Sequence, residues 1–280
     1  MTKLSIITIN YNNASGLQKT IQSVVQQDCS DIEYIIVDGN SSDNSIEVIK
    51  KYEDQITNWL SEPNRGIYGN MNRGIKEVHG TYCLFLNSGD WLVDNALNKI
   101  IAHCTQADII YCNTYLSYNN TRFEAVRYPT ELTMSHFYKQ TIGHQSTLIR
   151  SDLFKQYGLY NENNRVHSDY EFWIKTIIAG NCTCKHVDEF LTYYDMGGIS
   201  SKPTRSSQSE IDRILEPVIP PRVMADYENW YAQTTELQLW EWIKSKRVLH
   251  AAIRFVFKSA VAFVTLKRHL IPAESAKQRV

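Results

Sequence analysis

Apolar runs separated by short polar clusters organise the first ninety residues. Residues 4–9 form a mostly apolar run and predict a buried strand, 10–15 its polar loop, and 16–27 a helix with Leu17, Ile21, Val24 and Val25 on one face. A second strand is expected over 33–37. Asp43 stands where a helix N-cap belongs, ahead of an apolar face of Ile46, Ile49 and Tyr52. A short strand at 56–61, a helix at 69–78 and a strand at 81–86 follow. Such alternation predicts an α/β fold, a mostly parallel central sheet with helices on both faces.

Beyond residue 90 the alternation loosens. Residues 92–104 read as a helix, 108–118 as a strand and 122–128 as its hairpin partner. A loop carrying His144 and Gln145, a short helix at 151–157 and a longer one at 168–179 come next. Two strands at 182–187 and 190–194 then lead to a turn at 196–201.

The 280 residues carry a formal net charge of -1, which argues against nucleic acid as a partner, since that needs a basic footprint. The mean hides a division. From Trp240 onward there are nine Lys or Arg against two Asp or Glu, about +7, leaving about -8 for the rest. We therefore expect a catalytic domain over 1–235 and a basic amphipathic helical tail over 236–280. The first apolar run begins at Leu4, leaving no room for a signal peptide, so a cytoplasmic location is expected. Cys182, Cys184 and His186 could suggest zinc, but their spacing fits a strand better.

Two carboxylates close buried strands: Asp38 after Ile35-Ile36-Val37, and Asp90 after Cys83 to Phe85 and Leu86-Asn87-Ser88-Gly89. Strand ends of this kind form the crevice in which open α/β sheets bind ligands. The segment from Glu62 to Gly74, dense in Gly, Asn and Arg, suits a diphosphate, because backbone donors and guanidinium forks match phosphate oxygens. Asn87 and Asp90 offer hard oxygen ligands for Mg²⁺ or Mn²⁺ held together with substrate phosphates. Asp169 and Glu171 open a helix, where Asp169 is favoured in its ionised, proton-accepting form. An N-terminal capping role explains either residue equally well.

The order of these motifs resembles the family 2 glycosyltransferases with a GT-A fold, particularly bacterial polysaccharide enzymes similar to the colanic acid type. The matching stretches are Leu4 to Asn12, Val37 to Asp43, Glu62 to Gly74, Leu84 to Asp90, His144-Gln145-Ser146 and Ser168 to Trp173. The resemblance implies a nucleotide-sugar donor, usually UDP-linked, bound by Ile9, Tyr11, Asp38, Asn40, Arg65, Gly66, Met71, Arg73, Asn87 and Ser88. It implies a Mn²⁺ or Mg²⁺ ion at Asp90, although Asn87 and Gly89 stand where the family pattern has carboxylates. It also implies that Asp169 is the base of an inverting transfer, with His144, Gln145, Glu171 and Trp173 on the acceptor side. The acceptor implied is a lipid-linked glycan of a surface polysaccharide.

In the tail, His250, Arg254 and Lys258 recur at helical spacing among Leu249, Ile253, Val256, Phe257 and Val261. Arg254 and Lys258 sit too centrally for a membrane-spanning helix, whereas a basic amphipathic helix lying on the inner face of the membrane fits. A solvated cationic face on a packed helix is the alternative. Two other readings of the whole chain stay open: a sugar nucleotidyltransferase, whose Gly-rich basic first loop is absent here, and a non-catalytic carbohydrate- or nucleotide-binding subunit.

Overall fold

Seven consecutive buried residues, Leu4–Asn10, form strand β1. A strand buried on both faces needs parallel neighbours and helices above and below. The computed structural model describes residues 4–104, 107–118, 120–198, 205–232, 239–240, 242–244 and 246–270. In it β1 pairs in parallel with β2 (Ile32–Asp38) on one side and β4 (Tyr82–Phe85) on the other, while β2 pairs in parallel with β3 (Asn58–Ser61). The register sets Asn10 opposite Asp38.

Alternate β1 side chains meet different helices, as the period of two requires. Leu4 and Ile6 join Leu17, Ile21 and Val24 of α1 (Ala14–Val25) and Ile49 of α2 (Ser45–Lys51) in one core cluster. Ile7 meets α3 (Gly66–Lys76), and the approach is so close that a Cβ on Gly74 would lie 2.5 Å from Ile7 Cγ2. Asp43 holds both helix starts on the first face: Oδ1 accepts the Ser45 amide at 3.0 Å and Oδ2 the Ala14 amide at 2.9 Å. Those bonds, with the Ser45 hydroxyl, outweigh the opposing desolvation and keep its carboxyl below its ordinary range.

The other half of the sheet is mixed. β8 (Thr147–Arg150) lies antiparallel between β4 and β6 (Ile109–Tyr118), and β7 (Arg122–Val126) folds back antiparallel on β6. β9 (Cys184–Asp195) runs parallel to β6, with the two-residue β5 (Trp91–Leu92) antiparallel on its far edge. The parallel pattern expected for most of the sheet thus holds for β1 to β4 and gives way where the chain makes hairpin-like returns.

Several boundaries differ from the sequence reading. Helix α3 begins at Gly66, not at residue 69, so most of the Gly- and Asn-rich segment is helix. The helix expected at 92–104 shrinks to α4 (Ala96–Ile101). The strands expected at 182–187 and 190–194 are one strand, because Asp188 and Glu189 form an irregularity opposite Cys112 and Asn113 instead of a turn. Short helix α5 (Met134–Lys139) and β8 carry too few residues to show a period. Helix α6 (Asp152–Tyr157) matches its expected place. Helix α7 (Ser168–Trp173) continues as a π-helix over Ile174–Ala179.

The chain forms two compact units, Met1–Pro220 and Pro221–Val280. The boundary expected at 235/236 lies outside the described residues. The first unit ends with helix α8 (Arg205–Leu215). The second holds α9 (Pro221–Ala232) and a long helix, Arg247–Leu270. Among the described residues no helix is long and apolar enough to cross a membrane.

Candidate active site

The carboxyl ends of β1 and β4 and the end of β9 border a cleft of about 500 Å³. Ile9, Tyr11, Gly66, Asn87, Ser88 and Asp90 line it, so six of the residues expected from sequence come together here. Asn10, Asn13, Asn64, Ile67, Asn70, Tyr194, Asp195, Gly197 and Gly198 complete the wall. Gly66 has φ +77, a conformation suited to glycine, and a Cβ there would meet nothing within 4 Å.

Other expected donor residues hold the walls from behind. Asp38 is 0% exposed and does not line the cleft. Its Oδ1 accepts from Asn10 Nδ2 (2.9 Å) and Ser41 Oγ (2.6 Å), and Oδ2 from the Ser41 amide and Ser61 Oγ, both at 2.8 Å. With about four lone-pair sites to a carboxylate, those bonds occupy both of its oxygens. Met71, another expected donor residue, is 0% exposed in the core. Arg73 bonds Pro63 O and Asn70 Oδ1 through Nη1 and Glu62 Oε2 through Nε, bracing the 62–70 segment. Arg65 occupies the N-cap position of α3 with an exposed side chain, and Asn40 is exposed at φ +59; neither lines the cleft.

Asp90 is buried, and its Oδ1 accepts the backbone amide of Asp195 at 2.8 Å. The β5–β9 pairing makes that contact. Trp91 lies opposite Tyr193, their rings stacked at 4.8 Å, and Tyr115 and Phe190 extend the stack at 5.0 and 4.0 Å. Burial pushes the Asp90 carboxyl up to about 7, with the Asp195 charge adding to it; the Asp195 amide, His144 and Lys19 act in the opposite direction. Sequence reading missed Asp195, 105 residues away, although it ends an apolar strand much as Asp38 does.

Asp169 and His144 form a close pair, His144 Nδ1 to Asp169 Oδ2 at 3.0 Å. Asp169 Oδ1 accepts from the Tyr68 hydroxyl at 3.0 Å and from the Tyr170 amide at 2.9 Å. Burial acts to raise the Asp169 carboxyl, but the hydrogen bond and charge of His144, with the Tyr170 and Tyr68 donors, hold it below its usual range. His144 moves the opposite way: burial acts to lower it, yet the hydrogen bond and charge of Asp169, with Asp90, raise it. His144 Nε2 meets Asn87 Nδ2 at 3.2 Å, so a chain of side chains runs from the carboxylate to the cleft wall.

The remaining acceptor-side expectations separate. Gln145 is buried beside Gly143. Trp173 is 0% exposed and belongs to the core. Glu171 turns away from Asp169: it bonds Asn161, Asn164 and Lys175 and lines a different, smaller pocket with Arg213. Residues two apart on a helix face different sides, which is why these two carboxylates part.

The fold has counterparts among known proteins. The chain is 27% identical over 205 residues to a PGL/p-HBAD biosynthesis glycosyltransferase of Mycobacterium bovis, covering 70% of this chain and 78% of that one. It superposes on Staphylococcus aureus TarS 1-349 in complex with UDP-GlcNAc with a TM-score of 0.63 at 19% identity, covering 77% of this chain and 65% of that one. It also superposes on the mannosyltransferase PcManGT of Pyrobaculum calidifontis in complex with GDP-Man and Mn²⁺, with a TM-score of 0.56 at 13% identity, covering 93% and 80%. The model of glycosyl transferase family 2 matches residues 5–162, which hold every element of the cleft except the end of β9, together with His144 of the carboxylate pair. By that match, and by the GT-A fold it shares with these structures, the chain belongs to glycosyl transferase family 2 and is a glycosyltransferase.

Proposed function

We propose that this glycosyltransferase inverts the anomeric centre of a UDP-linked sugar and passes the sugar to a lipid-linked glycan of a bacterial surface polysaccharide. One observation carries the reading: the side chains Asp169, His144 and Asn87 connect a buried, ionised carboxylate directly to the wall of a nucleotide-sized cleft. Asp169 takes the proton of an acceptor hydroxyl as that oxygen bonds to the anomeric carbon. The bond from that carbon to the diphosphate breaks on the opposite face, and the nucleoside diphosphate leaves with the electron pair.

Asp90 and Asp195 fit a divalent cation as part of a shared shell. No group of three or more His, Cys, Asp or Glu side chains among the described residues could hold an ion alone. Two hard carboxylates on one cleft nevertheless suit Mn²⁺ or Mg²⁺ when donor phosphates supply further oxygens. A bound ion would neutralise charge on the departing diphosphate. Titration calorimetry with UDP, GDP, CDP and dTDP, with and without Mn²⁺, is expected to show UDP binding that Mn²⁺ strengthens. Binding of another nucleotide in place of UDP would change the donor class, and no binding of any would remove the reading.

The basic helix Arg247–Leu270 supports a location on the inner face of the cell membrane. Val248, Phe255 and Phe257 are 85%, 73% and 63% exposed, and Arg254 and Lys258 are exposed among them. Large apolar groups beside cations match an anionic lipid surface. We expect the full chain to sediment with phosphatidylglycerol vesicles and much less with phosphatidylcholine alone. Equal sedimentation after removal of residues 240–280 would reject the tail as the anchor.

A further inference from the structure

Three hydrogen bonds hold the Asp169 carboxylate. A carboxylate offers about four lone-pair sites, two on each oxygen. On Oδ1 both are taken, by the Tyr68 hydroxyl at 3.0 Å and the Tyr170 amide at 2.9 Å. On Oδ2 His144 Nδ1 takes one at 3.0 Å. One site on Oδ2 remains, and the Asp169 side chain keeps 14% of its surface exposed.

Tyr68 and His144 approach from separate elements. Tyr68 is on α3, is 4% exposed, and its ring packs on Tyr160 with centroids 5.6 Å apart. His144 begins a short 3₁₀ turn at His144–Ser146 and is fixed at its far nitrogen by Asn87. An ionised Asp169 requires Nδ1 to carry the hydrogen, and in the neutral ring Nε2 then accepts from the Asn87 amide. The Asp169 side chain therefore cannot rotate without breaking bonds to three parts of the fold. Burial raises the Tyr68 phenol well above its ordinary range, and the Asp169 charge and hydrogen bond add to this, so Tyr68 stays a donor at any working pH.

We infer that Tyr68 is a positioning residue for the transfer: with His144 it clamps Asp169 so that Oδ2 alone is presented to the acceptor hydroxyl. The inference rests on the role given to Asp169 above. Tyr68 donates to Oδ1, the oxygen not offered to the acceptor, and neither gives nor receives the proton that moves.

The titratable groups around the carboxylate are Tyr68 on α3, Tyr160 on the loop before α7, His144 on the 3₁₀ turn, and Asp90, which acts on it through His144. Tyr68→Phe keeps the ring and deletes only the hydroxyl. Loss of a donor destabilises the ionised form, so the Asp169 carboxyl signal in ¹³C-detected NMR, assigned with Asp169→Asn, is expected to titrate at higher pH. UDP release from a pooled set of UDP-hexoses and UDP-N-acetylhexosamines is expected to fall roughly 10- to 100-fold in kcat, the range for losing a hydrogen bond to a charged group. KM should be unchanged, and the acid limb of the rate profile should move in the same direction as the carboxyl signal. His144→Gln, tested alongside, should also move the carboxyl to higher pH and provides the reading if Tyr68→Phe does not fold. An unmoved carboxyl titration in the folded variants, or a moved one with unchanged kcat, would overturn the clamp. Absence of UDP release by the wild type would remove the proposed donor instead, while the carboxyl titration would still decide whether Tyr68 holds Asp169.

Discussion

Asp169→Asn is expected to lower sugar transfer by about 10²- to 10⁴-fold, the usual share of a positioned general base, while nucleotide binding stays within a factor of about two. The amide has nearly the shape of the carboxylate but cannot accept a proton at neutral pH. Asp169 does not line the cleft, so the nucleotide should not sense the change directly. The fold should tolerate it less well. His144 and Asp169 favour each other's charged forms, His144 raised and Asp169 lowered. Stability from the lowered carboxyl is present above its unfolded value and lost as the pH falls through the folded one. Stability from the raised imidazole is present below its unfolded value and lost as the pH rises through the folded one. The Asp169→Asn variant loses both contributions, so its deficit in thermal stability should be greatest in the mildly acidic window where both groups are charged. Transfer retained at more than about a tenth of the wild-type rate would reject Asp169 as the base.

Asp90→Asn should have opposite effects on stability and function. Burial raises the Asp90 carboxyl from its ordinary 3.8 to about 7. A raised carboxyl contributes stability that is complete below the unfolded value and disappears as the pH climbs through the folded one. Above pH 7 the metal-free protein therefore carries a buried charge, with a ceiling of ~4 kcal/mol from the shift itself. Relaxation and water penetration around the charge reduce that to on the order of 1–3 kcal/mol. Asparagine can still accept the Asp195 amide through its carbonyl oxygen and has no charge to bury. At pH 8 without metal the variant should melt several degrees higher than the wild type, a difference that disappears near pH 4. Its Mn²⁺-dependent nucleotide binding should be lost. A variant that melts lower at pH 8 would show that Asp90 is a stabilising carboxylate and not a group held in readiness for a cation.

The elements legible from the chain were those whose evidence is local. Leu4 to Ile9 and Glu33 to Val37 are apolar because both faces of the strands they form are covered, and that pattern survives in one dimension. The strand-end carboxylate Asp90 was legible for the same reason. Helix α3 was read three residues short because Gly66 is a poor helix former and marks a loop, while the Asn-rich turn that follows it, weak in propensity, is supported from afar. That support comes from 88 and 90 residues away: Asn72 accepts the Tyr160 amide and donates to Tyr160 O and Glu162. The hydrogen-bonded setting of Asp38 was not legible, because Asn10, Ser41 and Ser61 are brought to it by strand register and loop closure.

The sequence by itself determined the parallel half of the sheet and the family, and singled out Asp90, His144 and Asp169 as candidates, since hydrophobic period and short motifs depend only on neighbours along the chain. The tertiary structure alone decided which polar groups face the cleft and which support it. Asp195 reaches Asp90 across 105 residues, and Tyr68 reaches Asp169 across 101. A polar side chain's role is set by the partners that satisfy it in three dimensions, and those partners leave no period in the sequence.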